Sequence, residues 1–394
     1  MAMADLLSLR SPEGEAALAE ARRRKPTESD RLSALQSLRR RFPPGLAAAA
    51  VELVLLRDRA KAKWTDADKL FLTREALEQA TGEAVANYRA RRLARFPTVL
   101  DLGCGLGADS IAIARAGPAV IGIDSDEIRA TLARWNREAC GVPGPVLHDD
   151  GLTAILPAVD AVFCDPARRL DGRRVISPEE CRPAPSAVIA RFPPGFPMAF
   201  KLAPGVPRDD AARYGGEVEF ISLDGELKEC VVWRGPLQSA SWRVTLLRST
   251  AEEVTLTADG MPDPAPVGDA GEFLYDPDPA VVRADLTGIL ARKTGLHALD
   301  HRVATLTGPA VDTPFATRFR IIGTCDLDVK KVAARLRESR AGPVTIIKRG
   351  VDADAERLLN KWSGRGPVSI TAFLTPVLGR PRVFLVQRNS DADR

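Results

Sequence analysis

Residues 99–126 read VLDLGCGLGADSIAIARAGPAVIGIDSD, a short apolar run, a glycine-rich turn, a helical stretch and a second apolar run that ends in acid. The spacing predicts one β-α-β unit. Pro97 to Leu102 is apolar enough for a buried strand, and Gly103, Gly105 and Gly107 permit a tight turn with the backbone close to a ligand. Ala108 to Ala116 supplies the helix, whose first amides are unpaired donors with a partial positive charge. The second strand, Ala119 to Ile123, delivers Asp124 at its C-terminal end, where open α/β sheets place ligand-binding residues.

Gly103-Cys104-Gly105-Leu106-Gly107-Ala108 also satisfies the loose dinucleotide fingerprint, with Asp124 about where a ribose-binding acid belongs. Asp101 separates the two readings. A carboxylate two residues before the first glycine repels a pyrophosphate but pairs with an ammonium group, and S-adenosylmethionine carries an ammonium and no phosphate. These residues resemble the first motif of the class I S-adenosylmethionine-dependent methyltransferases, V-L-D-L-G-C-G-x-G. The resemblance implies that Asp101, Gly103, Gly105 and Gly107 belong to the cofactor site and that Asp124 holds the ribose hydroxyls.

The chain has 394 residues and 45% hydrophobic content, enough for two or three cores. Its six cysteines, at 104, 140, 164, 181, 230 and 325, contain no C-x-x-C pair, so neither a zinc site nor a disulfide framework is suggested. No metal site is expected. The apolar run Leu46 to Leu56 is too short for a membrane span and contains Glu52. With no signal-peptide pattern before it, a cytoplasmic protein is the expectation. The net charge is only +4, yet residues 1–95 carry 19 basic against 13 acidic side chains. Arg22-Arg23-Arg24-Lys25, Arg39-Arg40-Arg41 and Arg89 with Arg91, Arg92 and Arg95 form the clusters. They are either phosphate contacts or solvated helix faces.

Three regions follow from the pattern. Residues 1–95 read as an N-terminal helical subdomain, with helices over Pro12–Arg24, Asp30–Arg41, Leu46–Lys63, Asp66–Ala80 and Gly82–Ala94, the last capped by Thr81. Helices directly before such a sheet are well placed to roof its site. Residues 96–260 continue the strand and helix alternation: a helix over Ile128–Glu138, a strand over Pro145–His148, a fourth over Asp160–Cys164 and a fifth over Pro197–Leu202. A hairpin, Glu217–Leu223 with Cys230–Trp233, and a further pair, Trp242–Leu247 with Glu253–Thr257, complete this part. The closing antiparallel pair is what the methyltransferase version of the fold has and the dehydrogenase version lacks. Gly260 to Gly271, rich in Pro, Gly and Asp, reads as a linker.

Residues 271–394 form a small α+β module. Helices are expected over Pro279–Lys293, Val329–Glu338 and Ala353–Trp362, and strands over Arg318–Ile322, Val344–Lys348, Val368–Leu374 and Arg382–Val386. This arrangement resembles the THUMP-like domain behind the catalytic domain of one bacterial methyltransferase family. THUMP domains proper bind RNA, so the resemblance implies RNA as partner through the N-terminal basic helices and Lys348 and Arg349. A β-turn is the equal alternative for that last pair.

Two acidic strand ends complete the candidate site. The resemblance places the adenine amino group on Asp150, or on its neighbour Asp149, with a surface turn as the alternative. The fourth strand ends in Asp165-Pro166-Ala167-Arg168-Arg169. The matching motif of amino-directed methyltransferases is similar to D/N/S-P-P-Y/F/W, whose acid accepts from the target amine and whose aromatic stacks on the base. Asp165 and Pro166 match that motif, whereas Ala167 and Arg168 do not. Arg168 is read as a stacking group or as a fork onto a phosphate or carboxylate. The catalytic fold also resembles that of trimethylguanosine synthase. The expected fold class is therefore a Rossmann-like α/β methyltransferase sheet with flanking helical and THUMP-like parts. Its expected function is methyl transfer to RNA, with a small-molecule or protein methyltransferase, or a cofactor-sensing RNA-binding protein, as the rivals.

Overall fold

The computed structural model describes residues 3–167, 169–170, 173–175, 177–250 and 252–388, with backbone alone at Arg169, Leu170, Arg173 and Arg174. The chain forms two compact units, Met1–Gly216 with Val231–Ser239, and Glu217–Cys230 with Ala240–Arg394.

In the first unit, helices α1 (Met3–Ser8), α2 (Pro12–Arg24), α3 (Arg31–Leu38), α4 (Pro44–Ala60), α5 (Arg74–Gln79) and α6 (Glu83–Leu93) precede the sheet. Then follow β1 (Thr98–Leu102), α7 (Ala108–Arg115), β2 (Ala119–Asp124), α8 (Glu127–Ala139), β3 (Val146–His148) and β4 (Ala161–Cys164). The short pair β5 (Arg169–Leu170) and β6 (Arg173–Arg174), helix α9 (Pro185–Ile189), β7 (Met198–Leu202) and α10 (Arg208–Ala212) complete the order. Strands pair in parallel in the order β7-β4-β1-β2-β3. β4 and β7 are buried along their whole length, because helices cover both faces of a parallel sheet.

The apolar stripes of α1 to α4 converge on one core that also takes in Leu106, Ile111, Leu132 and Trp135 of the glycine turn, α7 and α8. Asn136, fully buried on α8, fastens this arrangement. Its Oδ1 accepts from the Phe71 amide (2.7 Å), and its Nδ2 donates to the carbonyls of Phe71 (3.0 Å) and Leu106 (2.9 Å). That pairing explains a difference from the sequence reading. Asp66–Ala80 is not one helix: a 3-10 turn at Ala67–Lys69 gives way to extended chain before α5, which frees the Phe71 backbone for Asn136. Thr81 does not cap α6 either. Gly82 holds that position, and the Thr81 hydroxyl donates to Asp109 Oδ2 at 3.2 Å.

In the second unit, β8 (Glu217–Leu223) and β9 (Glu226–Arg234, of which 226–230 belong here) turn through Asp224 and Gly225, both at positive φ. β8 runs parallel to β10 (Trp242–Leu247), which pairs antiparallel with β11 (Glu253–Ala258). A seven-stranded sheet follows in the order β13-β14-β12-β15-β18-β17-β16. It is built from β12 (Phe273–Pro277), α11 (Pro279–Arg283), α12 (Thr287–Thr294), β13 (His297–Ala298), β14 (Leu306–Gly308) and β15 (Ala316–Asp326). The remainder comprises α13 (Val329–Glu338), β16 (Ala341–Lys348), α14 (Ala355–Trp362), β17 (Val368–Val377) and β18 (Arg380–Arg388).

The helix expected over Pro279–Lys293 breaks in two at Asp285, which adopts a φ of 58°. The Gly260–Gly271 stretch is laid along β13 rather than left as a free tether. Ala298 donates to Pro266 (2.7 Å) and accepts from Gly268 (3.0 Å).

Asn136→Ala would strand the buried backbone groups of Phe71 and Leu106. The expected loss is about 2–4 kcal/mol, read as a lowered urea midpoint against Asn136→Asp and wild type.

Candidate active site

The C-terminal ends of β1 and β4 lie side by side, with Leu102 opposite Cys164. Beyond β1 the chain folds back on β2: the amides of Gly103 and Cys104 both donate to the Ile123 carbonyl, at 2.8 and 3.1 Å. Gly103 has a φ of 80°, and a Cβ there would lie 2.7 Å from the Asp165 carbonyl oxygen. Only glycine lets the two turns touch. Gly105, at φ 57°, shows the opposite surroundings, since a Cβ there meets nothing within 4 Å. Gly107 begins α7, and a Cβ there would sit 3.1 Å from the Cα of Ala133 on α8.

Asp124 is nearly buried. Its Oδ2 accepts from the Gly105 amide (2.8 Å) and its Oδ1 from the Asp126 amide (2.9 Å), and burial raises its pKa. A carboxylate has about four lone-pair sites, so capacity for further donors remains. Asp101 is wholly buried. Its Oδ2 accepts from the Ser110 hydroxyl, while Oδ1 has no hydrogen-bond partner. Burial, with the Asp109 charge second, pushes its pKa up to about 7.

Asp165 is held through its amide to the Leu102 carbonyl (3.1 Å) and through Oδ2, which accepts from Lys201 Nζ at 2.5 Å. Pro166 is buried, and Ala167 bridges to Arg182. Arg168 lies outside the described residues. Asp149 and Asp150 form an exposed turn after β3: Asp149 accepts from the Asp150 amide and Asp150 from the Leu152 amide.

A cavity of about 250 Å³ is bounded by Gly103, Gly105, Asp124, Asp165 and Pro166 together with Ala76, Gln79, Thr81, Asp109 and Arg129. The structure thus gathers the glycine turn, Asp124 and the Asp-Pro motif around one space. Asp101, Gly107 and Asp150 are not on its wall. One side of the cavity comes from α5 and the segment after it. In sequence Thr81 reads only as a helix cap, and Asp109, Arg129 and Lys201 carry no assigned role. Asp109 is paired with Arg89, a buried guanidinium that also lies 4.9 Å above the Phe163 ring. A lone lysine in the apolar run M-A-F-K-L was the readable sign for Lys201. The thiols of Cys104 and Cys164 are pushed well up by burial, so neither is a ready thiolate. Among the described residues, no cluster of His, Cys, Asp and Glu could hold a metal ion.

Several of the basic groups singled out in sequence have partners within the protein while staying exposed. Arg23, Arg24 and Arg41 all pair with Glu20. Arg92 donates to the Leu237 carbonyl and Arg95 to that of Pro236. Arg349 forks onto Asp276 at 2.8 and 2.7 Å, and Lys348 donates to the Ala353 carbonyl.

Two family models match the chain, a domain of unknown function (DUF8688) over residues 2–60 and a THUMP domain-like family over residues 316–388. An uncharacterized S-adenosylmethionine-dependent methyltransferase of Mycobacterium tuberculosis H37Rv is 31% identical over 336 residues, covering 83% of this chain and 92% of the relative. The chain belongs to the S-adenosylmethionine-dependent methyltransferases. A crystal structure from Porphyromonas gingivalis W83, titled as that of a methyltransferase, superposes over 93% of this chain and 100% of that one. Its TM-score is 0.73 at 20% identity, a likeness of fold.

This methyltransferase therefore uses S-adenosylmethionine, and its residues fit that cofactor. The open face of Gly105 admits a ligand against the backbone, and Asp124 has spare acceptor capacity for hydroxyls; Asp101 Oδ1 is an unpaired acceptor that lies buried, off the cavity wall.

A carboxyl whose folded pKa is raised costs the native state once it ionises. The Asp101 contribution therefore falls as pH rises from about 4 through about 7, by up to ~1.4 kcal/mol per pH unit. Asp101→Asn should remove this slope. Thermal melts are expected to show the variant gaining on wild type between about pH 4 and 7, the window between the unfolded and folded values. Parallel curves would mean that Asp101 does not titrate there.

Proposed function

We propose that this methyltransferase acts on RNA, with the cofactor between the Gly103–Gly107 turn and Asp124 and the methyl acceptor at Asp165 and Pro166. The observation that carries the reading is the shared cavity, which has Gly105 and Asp124 in one part of its wall and Asp165 in another. In this reading Asp101 receives the ammonium and Asp150, or Asp149, the adenine amine. Bound S-adenosylmethionine supplies a methyl group on a positively charged sulfur. The chain's part is then largely positioning: Asp165 accepts a hydrogen bond from the acceptor and aims its lone pair. Arg168 is proposed to stack on the acceptor or fork onto an adjoining phosphate. By the same proposal, residues 1–95 roof the site, 96–260 carry the chemistry and 271–394 engage the substrate.

RNA is favoured over other acceptors by the THUMP-like region and by one corner of it. Helices α13 and α14 both end where the parallel strands β16 and β17 begin, with Ala341 opposite Val368. Arg337, Arg340, Lys361 and Arg365 gather at that end and are exposed, and their side chains have no hydrogen-bond or ion-pair partner among the described residues. Gly364 and Gly366 donate to the carbonyls of Gly342 (2.9 Å) and Ala341 (3.0 Å), which keeps Arg365 beside Arg340. Charges left unpaired in this way suit a polyanion. A cytoplasmic location is part of the proposal. Among the described residues, no helix is long and apolar enough to cross a membrane. The departure of Ala167 and Arg168 from the aromatic-bearing motif favours, as a second reading, a small-molecule or protein acceptor.

Methyl-labelled S-adenosylmethionine with fractionated RNA, protein and metabolites should place label in RNA. Label in another fraction gives that second reading, and label in none a cofactor-sensing protein. Asp124→Ala is expected to weaken cofactor binding by about 1–3 kcal/mol by calorimetry, whereas Asp165→Ala should keep that affinity and lose most transfer.

Fluorescence anisotropy with an RNA hairpin tests the corner. For Arg340→Ala/Arg365→Ala, the slope of log affinity against log salt should flatten by about 1–2, as the loss of two phosphate contacts requires. An unchanged slope would take this corner out of the interface.

A further inference from the structure

Lys201 is the charged residue of an otherwise apolar strand and is only 8% exposed. β4 and β7 run parallel with Cys164 opposite Phe200, so Asp165 and Lys201 come next at neighbouring strand ends. Taking an ammonium out of water is costly unless it is paired. Among the described residues, the one hydrogen bond from Lys201 Nζ goes to Asp165 Oδ2, at 2.5 Å. Exposed ion pairs contribute little to stability, but this one has a nearly buried cation and joins the cavity at Asp165.

Asp165 is thereby fixed at three points. Its amide is bonded to Leu102, its carbonyl rests against Gly103, and its Oδ2 is bonded to Lys201. Among the described residues Oδ1 accepts no hydrogen bond.

We propose that Lys201 is the positioning residue of the methyl-acceptor site, clamping Asp165 by Oδ2 so that Oδ1 is left for an N–H or O–H of the acceptor. The inference rests on the reading of Asp165 as the group that receives the acceptor. It also narrows the acceptor's chemistry. A protonated amine has no lone pair to offer and must first lose a proton, and the carboxylate here is already engaged by Lys201. The acceptor is therefore a neutral donor group, such as an amide-like or ring-attached amine, rather than the charged end of a lysine side chain.

The test uses the full chain, labelled S-adenosylmethionine and whichever of the RNA, protein or metabolite fractions takes label from wild type. Lys201→Met should lower kcat by roughly 10- to 100-fold, the scale on which a misplaced positioning group acts, while the calorimetric affinity for S-adenosylmethionine stays within about threefold. Lys201→Arg, which keeps a donor and the charge, should recover part of the loss. Asp165→Ala/Lys201→Met should be no slower than Asp165→Ala, since a residue acting through Asp165 has nothing left to orient.

A fully active Lys201→Met, or losses that multiply in the double variant, would overturn the inference while a slow Asp165→Ala kept the reading of Asp165 intact. A fast Asp165→Ala would remove both, as would a wild type that labels no fraction. A Lys201→Met whose cofactor affinity falls in step with its kcat would assign the pair to structure, and that too overturns the proposal.

Discussion

The contact between the Asp165 carbonyl and Gly103 is the constraint on which the site depends. A methyl group at residue 103 would stand 2.7 Å from that oxygen, in a backbone conformation that side chains rarely adopt. With hydrogen there instead, the turn after β1 and the turn after β4 meet, and the bond from the Asp165 amide to Leu102 holds them together. Gly105 can then stay open toward the cavity, because the close packing has been done by its neighbour. Two glycines in one motif thus serve opposite purposes: one removes bulk from a protein contact, and the other keeps bulk out of the space before it.

Many arginines of this protein have partners within it, and a few are buried. Glu20, nearly buried, draws in Arg23, Arg24 and Arg41, and Arg89 is enclosed between Asp109 and Phe163. Arg92 lies 4.5 Å over the Trp233 ring while bonding the Leu237 carbonyl. Guanidinium groups suit these places because they are planar, weakly hydrated and rich in donors. Of the N-terminal arginines, Arg57 and Arg89 are buried and serve packing, while Arg23, Arg24 and Arg41 pair with Glu20 at the surface. Arg349, forked onto Asp276, repeats the pattern in the second unit.

The roof shows how a polar side chain can replace a strand. Phe71 has no neighbouring strand, yet its N–H and C=O are both satisfied by the Asn136 amide, whose second amide hydrogen bonds Leu106 in the glycine turn. Buried backbone groups need partners. Here one asparagine supplies them and brings the segment before α5, and with it Thr81, to the cavity that Asp109 also lines.

Local pattern determined much of this protein. The apolar runs and glycines of residues 99–126 were enough for the β-α-β unit, since strand, turn and helix there each follow from their own residues, and Val329–Glu338 stands where its periodicity put it. Tertiary structure decided the rest, wherever a partner distant in sequence sets the outcome. Phe71 is extended because of Asn136, and Thr81 turns from a cap to Asp109. Asp285 breaks an apparently continuous helix, and the linker-like stretch at Gly260–Gly271 lies along β13. Lys201 is the clearest case. In the sequence it is one basic residue among 56, and its meaning comes from the parallel register that sets it beside Asp165. Burial then makes that pairing obligatory, because a nearly enclosed ammonium requires a partner.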